Sequence, residues 1–178
     1  MKLSSYKESD KYEIKQLFED VFAESEGPEE GRLISGLVLD LLNTTKSQDI
    51  FGFVAREGEK ITCGLFFTRL HFDGPIEAFI LSPVAVKTEC QGKGIGKKLI
   101  NYGLEQLRDK GVKLVFTYGD PAFYSKVGFK QITEEVVQAP LPLSQPEGWL
   151  CQSLDGDEIK PVSGRPRCVE ALNKPEYW

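Results

Sequence analysis

Gln-Gly-Lys-Gly-Ile-Gly, residues 91–96, is the stretch that decides the fold, because it joins an apolar run to an amphipathic helix. The apolar run covers residues 78–86, and the spacing of apolar side chains predicts a helix over 97–109. The three glycines occupy alternate positions, and because glycine has no Cβ they let the backbone approach a ligand closely. The helix directs its first free N–H groups and the positive end of its dipole towards this loop. The pattern therefore predicts an anion site, most often one for phosphate or pyrophosphate.

Two common nucleotide-binding motifs fit the loop poorly. A P-loop has a glycine, four residues and then Gly-Lys-Ser/Thr, whereas Gln91 occupies the first glycine position and Lys98 the hydroxyl position. A dinucleotide fingerprint has Gly-x-Gly-x-x-Gly directly after a strand, whereas this loop has Gly-x-Gly-x-Gly beyond a four-residue connection. A generic nucleotide-binding protein is therefore the weakest interpretation of the loop.

The residues around the loop resemble the acetyl-CoA-binding segment of the GNAT N-acetyltransferase family. Val-Ala-Val at residues 84–86 is followed by the four-residue connection and then by the glycine loop. The family pattern is Gln/Arg-x-x-Gly-x-Gly/Ala, which Gln91, Gly94 and Gly96 match position by position. By this resemblance the donor is expected to contact Val84, Ala85, Val86, Gln91, Gly92, Lys93, Gly94, Ile95, Gly96 and Lys97.

A second block lies where the family would have it. Gly-Asp-Pro-Ala-Phe-Tyr occupies residues 119–124, and Gly-Phe follows at 128–129. The two blocks in this order resemble the YhbS-like bacterial branch of the family, over roughly residues 3–135. The resemblance implies that Tyr124 lies beside the donor sulfur as a general acid. A phenol with a pKa of about 10 can donate to a thiolate whose thiol has a pKa of about 8.5. The alternative is a tyrosine that only packs among neighbouring aromatic rings.

The resemblance also implies a reaction, the direct transfer of an acetyl group from acetyl-CoA to a primary amine in a ternary complex. A small-molecule amine is the expected partner, and the sequence leaves amino acids, polyamines, antibiotics and protein lysines open as acceptors. A non-catalytic acyl-CoA-binding or sensing module with the same fold is the main alternative. It stays open because some relatives have a glutamate base where this chain has Ile80.

Other candidates for the base have simpler explanations. An amine with a pKa of about 10.4 is protonated at neutral pH, so a base or a water chain must take its proton. Glu77 and His71 lie near predicted strand ends, where surface residues are common. An acidic segment between the first two predicted helices is explained by solvation or by attraction of a cationic acceptor; it contains Glu24, Glu26, Glu29 and Glu30.

Ser82-Pro83 falls inside the apolar run that precedes the loop. Proline within a strand indicates an edge or a bulge. A bulge would release the N–H groups of residues 84–86 to bind the thioester and the pantetheine amides. An ordinary edge-strand proline is the alternative.

The predicted order of elements is strand, two helices, antiparallel strands, helix, strand, short helix and strand. This order indicates an α+β or mixed α/β protein and agrees with the GNAT fold, a mostly antiparallel, splayed sheet flanked by helices. We expect a GNAT domain over residues 1–138 and a proline-containing extension over 139–178 that packs on it and adds one or two strands. Local signals predict a capping box from Asp10 to Glu13 and a strand over 129–137. They also predict a short helix capped by Asp120, starting at Pro121 and ending before Gly128.

Composition narrows the partners. With 178 residues one domain is the natural expectation, and a net charge of −5 argues against nucleic acid or an anionic membrane as partner. The basic residues Lys93, Lys97 and Lys98 are nonetheless clustered at the loop. Four separated cysteines and one histidine do not predict a metal site. No apolar stretch has the length of a signal core or a membrane span, so we expect a cytoplasmic protein, with an exposed sheet edge or the tail available for a homodimer.

Overall fold

The computed structural model describes residues 1–178 and contains seven strands and four α-helices. In chain order they are β1 (Lys2–Ser5), α1 (Lys11–Glu26), α2 (Pro28–Thr44), β2 (Ile50–Glu57), β3 (Lys60–Leu70), β4 (Ala78–Val86), α3 (Ile95–Asp109), β5 (Leu114–Tyr118), α4 (Pro121–Tyr124), β6 (Lys130–Gln131) and β7 (Trp149–Ser153). The strand order in the sheet is β1-β2-β3-β4-β5-β7-β6. Strands β4 and β5 are parallel, while the β1–β2, β5–β7 and β6–β7 pairs are antiparallel. The predicted mixed α/β class is confirmed.

The chain packs as two compact units. The first comprises Met1–Phe67 and Pro83–Gly103, and the second comprises Thr68–Ser82 and Leu104–Trp178. None of the helices is long and apolar enough to cross a bilayer.

In the first unit, small residues let the elements approach closely. A Cβ on Gly31 of α2 would lie 2.6 Å from the Glu19 carbonyl oxygen of α1, so the two helices touch at this glycine. Gly64 of β3 has the same role, since a Cβ there would lie 2.9 Å from the Ile14 side chain. The core of this unit contains the apolar stripe of α1, which includes the fully buried Phe18. The Phe18 ring packs against Phe66 of β3.

The predicted capping box at the start of α1 is wrong. The Asp10 carboxylate makes no cap bond to α1; it accepts from the Lys7 backbone N–H at 2.9 Å and pairs with the Arg56 guanidinium of β2. Glu13 accepts from the backbone N–H of Ile61 at 2.7 Å instead of bonding back to Asp10. Both carboxylates therefore fix α1 to the β2–β3 hairpin, because a charged partner and a strand N–H compete successfully for them.

In the second unit, β5 is paired on both sides. Its parallel register with β4 runs from Ala78↔Leu114 to Leu81↔Thr117, and its antiparallel register with β7 runs from Leu114↔Ser153 to Tyr118↔Trp149. Trp149 stacks on Phe116 with 5.1 Å between ring centroids, and its Nε1 donates to the Val137 carbonyl at 2.9 Å. One strand of the predicted tail, β7, is thus central to this unit.

The strand predicted over residues 129–137 is much shorter than expected. Only Lys130–Gln131 pairs, as β6 with β7, and the chain then turns, with Val137 donating its N–H to the Thr133 carbonyl at 3.2 Å. Val137 is fully buried at the end of this turn. Two interactions of Val137 replace the strand pairing that the sequence pattern suggested. Its side chain is buried, and its backbone carbonyl accepts from Trp149 Nε1.

Candidate functional site

The glycine loop belongs to the first unit and is shaped by two left-handed glycines. Gly92 has φ 75° and Gly94 has φ 79°, values that residues with a Cβ rarely adopt. A Cβ at either position would meet no atom within 4 Å, so the space beside the loop is open. The sequence predicted a backbone that a ligand can approach closely, and this geometry has that property.

Helix α3 begins within the loop segment at Ile95, two residues earlier than the spacing predicted, so Gly96 lies in its first turn. The N–H of Lys98 donates to the Gly94 carbonyl at 3.1 Å. The N–H groups that precede Lys98 fall in the first turn, where an α-helix has no intrahelical acceptors to offer. Lys93 and Lys98 are exposed and Lys97 is half-buried, so cationic side chains accompany the positive end of the helix dipole.

Several bonds hold the loop to its surroundings within the same unit. The Gln91 side-chain amide donates to the Val86 carbonyl at 3.0 Å, and the Lys87 backbone N–H donates to the Thr62 carbonyl of β3 at 2.8 Å. The Thr88 hydroxyl donates to the carboxylate of Glu24 at the end of α1. Gln91 therefore stabilises the loop, because its side chain bonds back to the last residue of β4, Val86.

The end of β4 presents one buried and one partly open face. Ala85 is buried, whereas Val84 and Val86 are half-buried, as strand alternation requires when one face is not covered by the core. The strand runs without a break through Pro83. The backbone groups of residues 84–86 thus lie next to the open loop in the chain.

Tyr124 lies in the second unit at the end of α4. The Asp120 carboxylate accepts from the Ala122 N–H at 2.9 Å, Pro121 opens the helix and Gly128 adopts φ 92° after it. These features confirm the predicted capping. The ring of Tyr124 contacts Phe129 edge-on with 5.8 Å between centroids.

The environment of the Tyr124 phenol alters its acidity. Burial raises the pKa of Tyr124 to about 12, a hydrogen bond with the Thr117 side chain acts against the rise, and the charge of Asp120 adds to it. The phenol is therefore protonated throughout the neutral pH range. Thr117 was not singled out from the sequence, and Gly119, which touches the ring, was noted only as the first residue of the second block. The one available signal was a hydroxyl residue inside the apolar strand Leu114–Tyr118.

The positions considered for a base have other surroundings in the structure. Ile80 is buried, Glu77 pairs with the Arg69 guanidinium, and the backbone of His71 exchanges two hydrogen bonds of 2.9 Å with Arg167. In the acidic segment, burial raises the pKa of Glu30, and Glu26 adds to the rise through its charge and a shared hydrogen bond. No group of three or more histidine, cysteine, aspartate and glutamate side chains could hold a metal ion.

Comparison with known proteins gives this geometry a family. The model of the acetyltransferase (GNAT) domain matches residues 48–131. The uncharacterized N-acetyltransferase YjhQ of Escherichia coli K12 is 32% identical over 140 residues, covering 75% of this chain and 77% of that protein. The uncharacterized N-acetyltransferase YhbS of the same strain is 26% identical over 139 residues, covering 78% and 76%. The chain belongs to the GNAT family of acetyltransferases, which confirms the resemblance and the enzyme class expected from it.

Solved structures agree on the fold. The crystal structure of E. coli YhbS in complex with CoA has a TM-score of 0.83 at 24% identity and covers 97% of this chain and 92% of that chain. A GNAT acetyltransferase from Brucella melitensis in complex with acetyl-CoA has a TM-score of 0.70 at 24% identity, with 97% of both chains covered. The GNAT architecture is thereby confirmed.

Proposed function

We propose that this protein transfers an acetyl group from acetyl-CoA to a primary amine, with the glycine loop as its donor site. The observation that carries the proposal is the loop geometry: two left-handed glycines with open space beside them lead directly into α3. Complexes of E. coli YhbS with CoA and of the Brucella melitensis enzyme with acetyl-CoA support this choice of donor.

In this proposal the donor is held mainly by backbone. The Gln91 N–H already donates to the Thr88 carbonyl at 3.2 Å, so the N–H groups of residues 92–96, together with Lys97, bind the pyrophosphate through charge-assisted hydrogen bonds. The polar backbone groups of Val84, Ala85 and Val86 bind the amides of the pantetheine arm and orient the carbonyl. The contact from Gln91 to the Val86 carbonyl keeps these two segments in a fixed relation.

Tyr124 is the proposed general acid. Bound acetyl-CoA supplies an acetyl group activated as a thioester, and the CoA sulfur leaves as a thiol. Because the pKa of Tyr124 is raised to about 12, its Oη carries a proton at neutral pH and can donate it to that sulfur. The same shift makes the phenol a weaker acid than free tyrosine. A group that stabilises the phenolate oxygen therefore makes proton transfer from Tyr124 to the sulfur easier.

The acceptor in this proposal is a small cationic amine. Glu24, Glu26 and Glu30 put negative charge at the α1–α2 corner, and such charge attracts an ammonium group before it loses its proton. None of these carboxylates is assigned as the base, because Glu24 accepts from Thr88 and Glu26 shares its hydrogen bond with Glu30.

The first experiment is calorimetric titration of the purified protein with acetyl-CoA and with CoA, in the presence and absence of Mg²⁺. We expect one-to-one binding of both that does not depend on the metal. Thiol release from acetyl-CoA is then measured with a polyamine, an aminoglycoside, free lysine and a lysine peptide. Absence of binding by either nucleotide would overturn the donor site.

A non-catalytic acyl-CoA-binding or sensing module is the second candidate. The buried Ile80, at a position where some relatives have a glutamate, favours it. Acetyl-CoA would then bind, but its slow hydrolysis would not increase with any amine in the panel. An amine-dependent increase in thiol release would exclude this candidate.

A further inference from the structure

Two residues at the end of β5 are associated with Tyr124. Thr117 belongs to the strand, and Gly119 directly follows its last residue, Tyr118. A Cβ on Gly119 would have three nearest neighbours, all atoms of the Tyr124 ring: Cε2 at 2.8 Å, Cδ2 at 3.5 Å and Cζ at 3.7 Å. The ring therefore lies directly against the bare Cα of Gly119.

Thr117 is fully buried, and its hydroxyl has one defined partner on the neighbouring strand. Its Oγ1 donates to the Leu81 carbonyl at 2.9 Å. This bond uses the only proton of the hydroxyl and leaves its oxygen lone pairs for another donor. Thr117 also counteracts the effect of burial on the pKa of the Tyr124 phenol. While Thr117 donates to Leu81, its oxygen can meet the protonated phenol only as an acceptor.

We propose that Thr117 and Gly119 are positioning residues for Tyr124, with Gly119 admitting the ring and the Thr117 hydroxyl turning from the Leu81 carbonyl towards the phenol oxygen when that oxygen loses its proton. In the turnover step the amine nitrogen forms a bond to the acetyl carbon as the C–S bond breaks. The Tyr124 O–H bond breaks and an S–H bond forms on the departing sulfur, while the amine releases a proton to water and Tyr124 regains one from water. The Thr117 proton stays on Oγ1 throughout and changes only its acceptor. This inference rests on the proposed role of Tyr124.

The decisive measurement is the acidity of Tyr124 itself, which needs no acceptor amine. The protein is labelled with 3-fluorotyrosine, which is more acidic than tyrosine, and titrated by fluorine NMR in the Thr117→Val and Thr117→Ser variants. The Tyr124 resonance is the one lost in Tyr124→Phe. We expect the acid dissociation constant to fall about tenfold in Thr117→Val, because a hydrogen bond to a charged oxygen is lost. In Thr117→Ser it should stay within about twofold of the unsubstituted protein, because the hydroxyl is retained.

Equal acidity in all three proteins would overturn the part assigned to Thr117. A merely structural Thr117 would also fail to show rescue by serine in the Tyr124 titration. Should Thr117→Val fail to fold, Thr117→Ala takes its place in the same comparison, and Gly119→Ala tests the contact independently.

Gly119→Ala displaces the ring without straining the backbone, because Gly119 is not among the positive-φ glycines. We expect the Tyr124 resonance to shift and donor affinity to stay the same. Gly36→Ala is the matched control, since Gly36 also lacks a positive φ and has open space around it. An unshifted resonance in Gly119→Ala would overturn the contact. If these results hold and Tyr124→Phe nonetheless keeps full acetyl transfer, the general-acid role fails while the positioning geometry stands.

Discussion

The glycine loop and the surroundings of Tyr124 are built in opposite ways. The loop is defined by its backbone conformation, because Gly92 and Gly94 adopt left-handed conformations and leave open space beside them. The Tyr124 side chain is defined instead by its neighbours, which are the Cα of Gly119, the hydroxyl of Thr117 and the ring of Phe129. A backbone site depends on local conformation, whereas a side-chain site depends on neighbours distant in sequence. The two should therefore respond differently to substitution.

The largest loss of donor affinity is expected for a substitution at a left-handed glycine of the loop. Gly94→Glu puts a side chain on a left-handed residue and a negative charge beside the proposed pyrophosphate site. We expect donor affinity to fall by about a hundredfold or more, from strain and charge conflict together. Calorimetry with CoA measures it.

Gly58→Glu is the matched control for this substitution. Gly58 has φ 59° and open space beside its Cα, and it lies in the turn between β2 and β3. The control therefore has similar strain and the same charge away from the loop, and its CoA affinity should not change. Unaltered binding by Gly94→Glu would contradict the donor site.

Tyr124→Phe should separate turnover from binding. Loss of the phenolic proton is expected to lower kcat about a hundredfold, within the usual range for general acid catalysis, while the Kd for CoA stays within about twofold. Thiol release with the amine panel and calorimetry give the two quantities. Tyr12→Phe, at a residue with 81% of its surface exposed, is the control; activity of Tyr124→Phe equal to that control would remove Tyr124 from the mechanism.

Alkaline stability reports the burial of the same phenol. The pKa of Tyr124 is about 12 in the folded protein against an ordinary value of 10.0, so the unfolded chain ionises first as the pH rises. The free energy of unfolding does not depend on Tyr124 below pH 10 and decreases between about pH 10 and 12, by roughly 1 kcal/mol at pH 11. Urea unfolding at pH 8 and pH 11 should show a smaller loss in Tyr124→Phe than in the unsubstituted protein. Equal losses would mean that the phenol ionises as easily in the fold as outside it.

A weaker effect is expected for Gln91→Leu. The substitution removes the bond to the Val86 carbonyl, a loss of about 1 kcal/mol that corresponds to about a fivefold weaker donor affinity if it loosens the loop. Gln16→Leu removes a comparable bond to Asp20 on the exposed side of α1 and should leave affinity unchanged. A fall as large as that of Gly94→Glu would show that side chains matter as much as backbone in this loop.

The comparison also explains how much the sequence could predict. The order of elements, the loop and the Asp120 cap follow from residues close in the chain, and the structure has them as expected. The partners of Asp10 and Glu13 could not be predicted, because Arg56 and Ile61 are brought to them only by tertiary packing. The pairing of β7 between β5 and β6 is equally non-local, and so is the contact of Gly119 with Tyr124.

The distribution of tryptophan has a spectroscopic consequence. Both tryptophans, Trp149 and Trp178, are buried in the second compact unit, whereas α1 and α2 belong to the first. Intrinsic tryptophan fluorescence therefore follows the melting of the second unit, while far-ultraviolet circular dichroism is weighted towards the long helices of the first. A single sample thus contains two native reporters, and coincident midpoints would identify one cooperative transition.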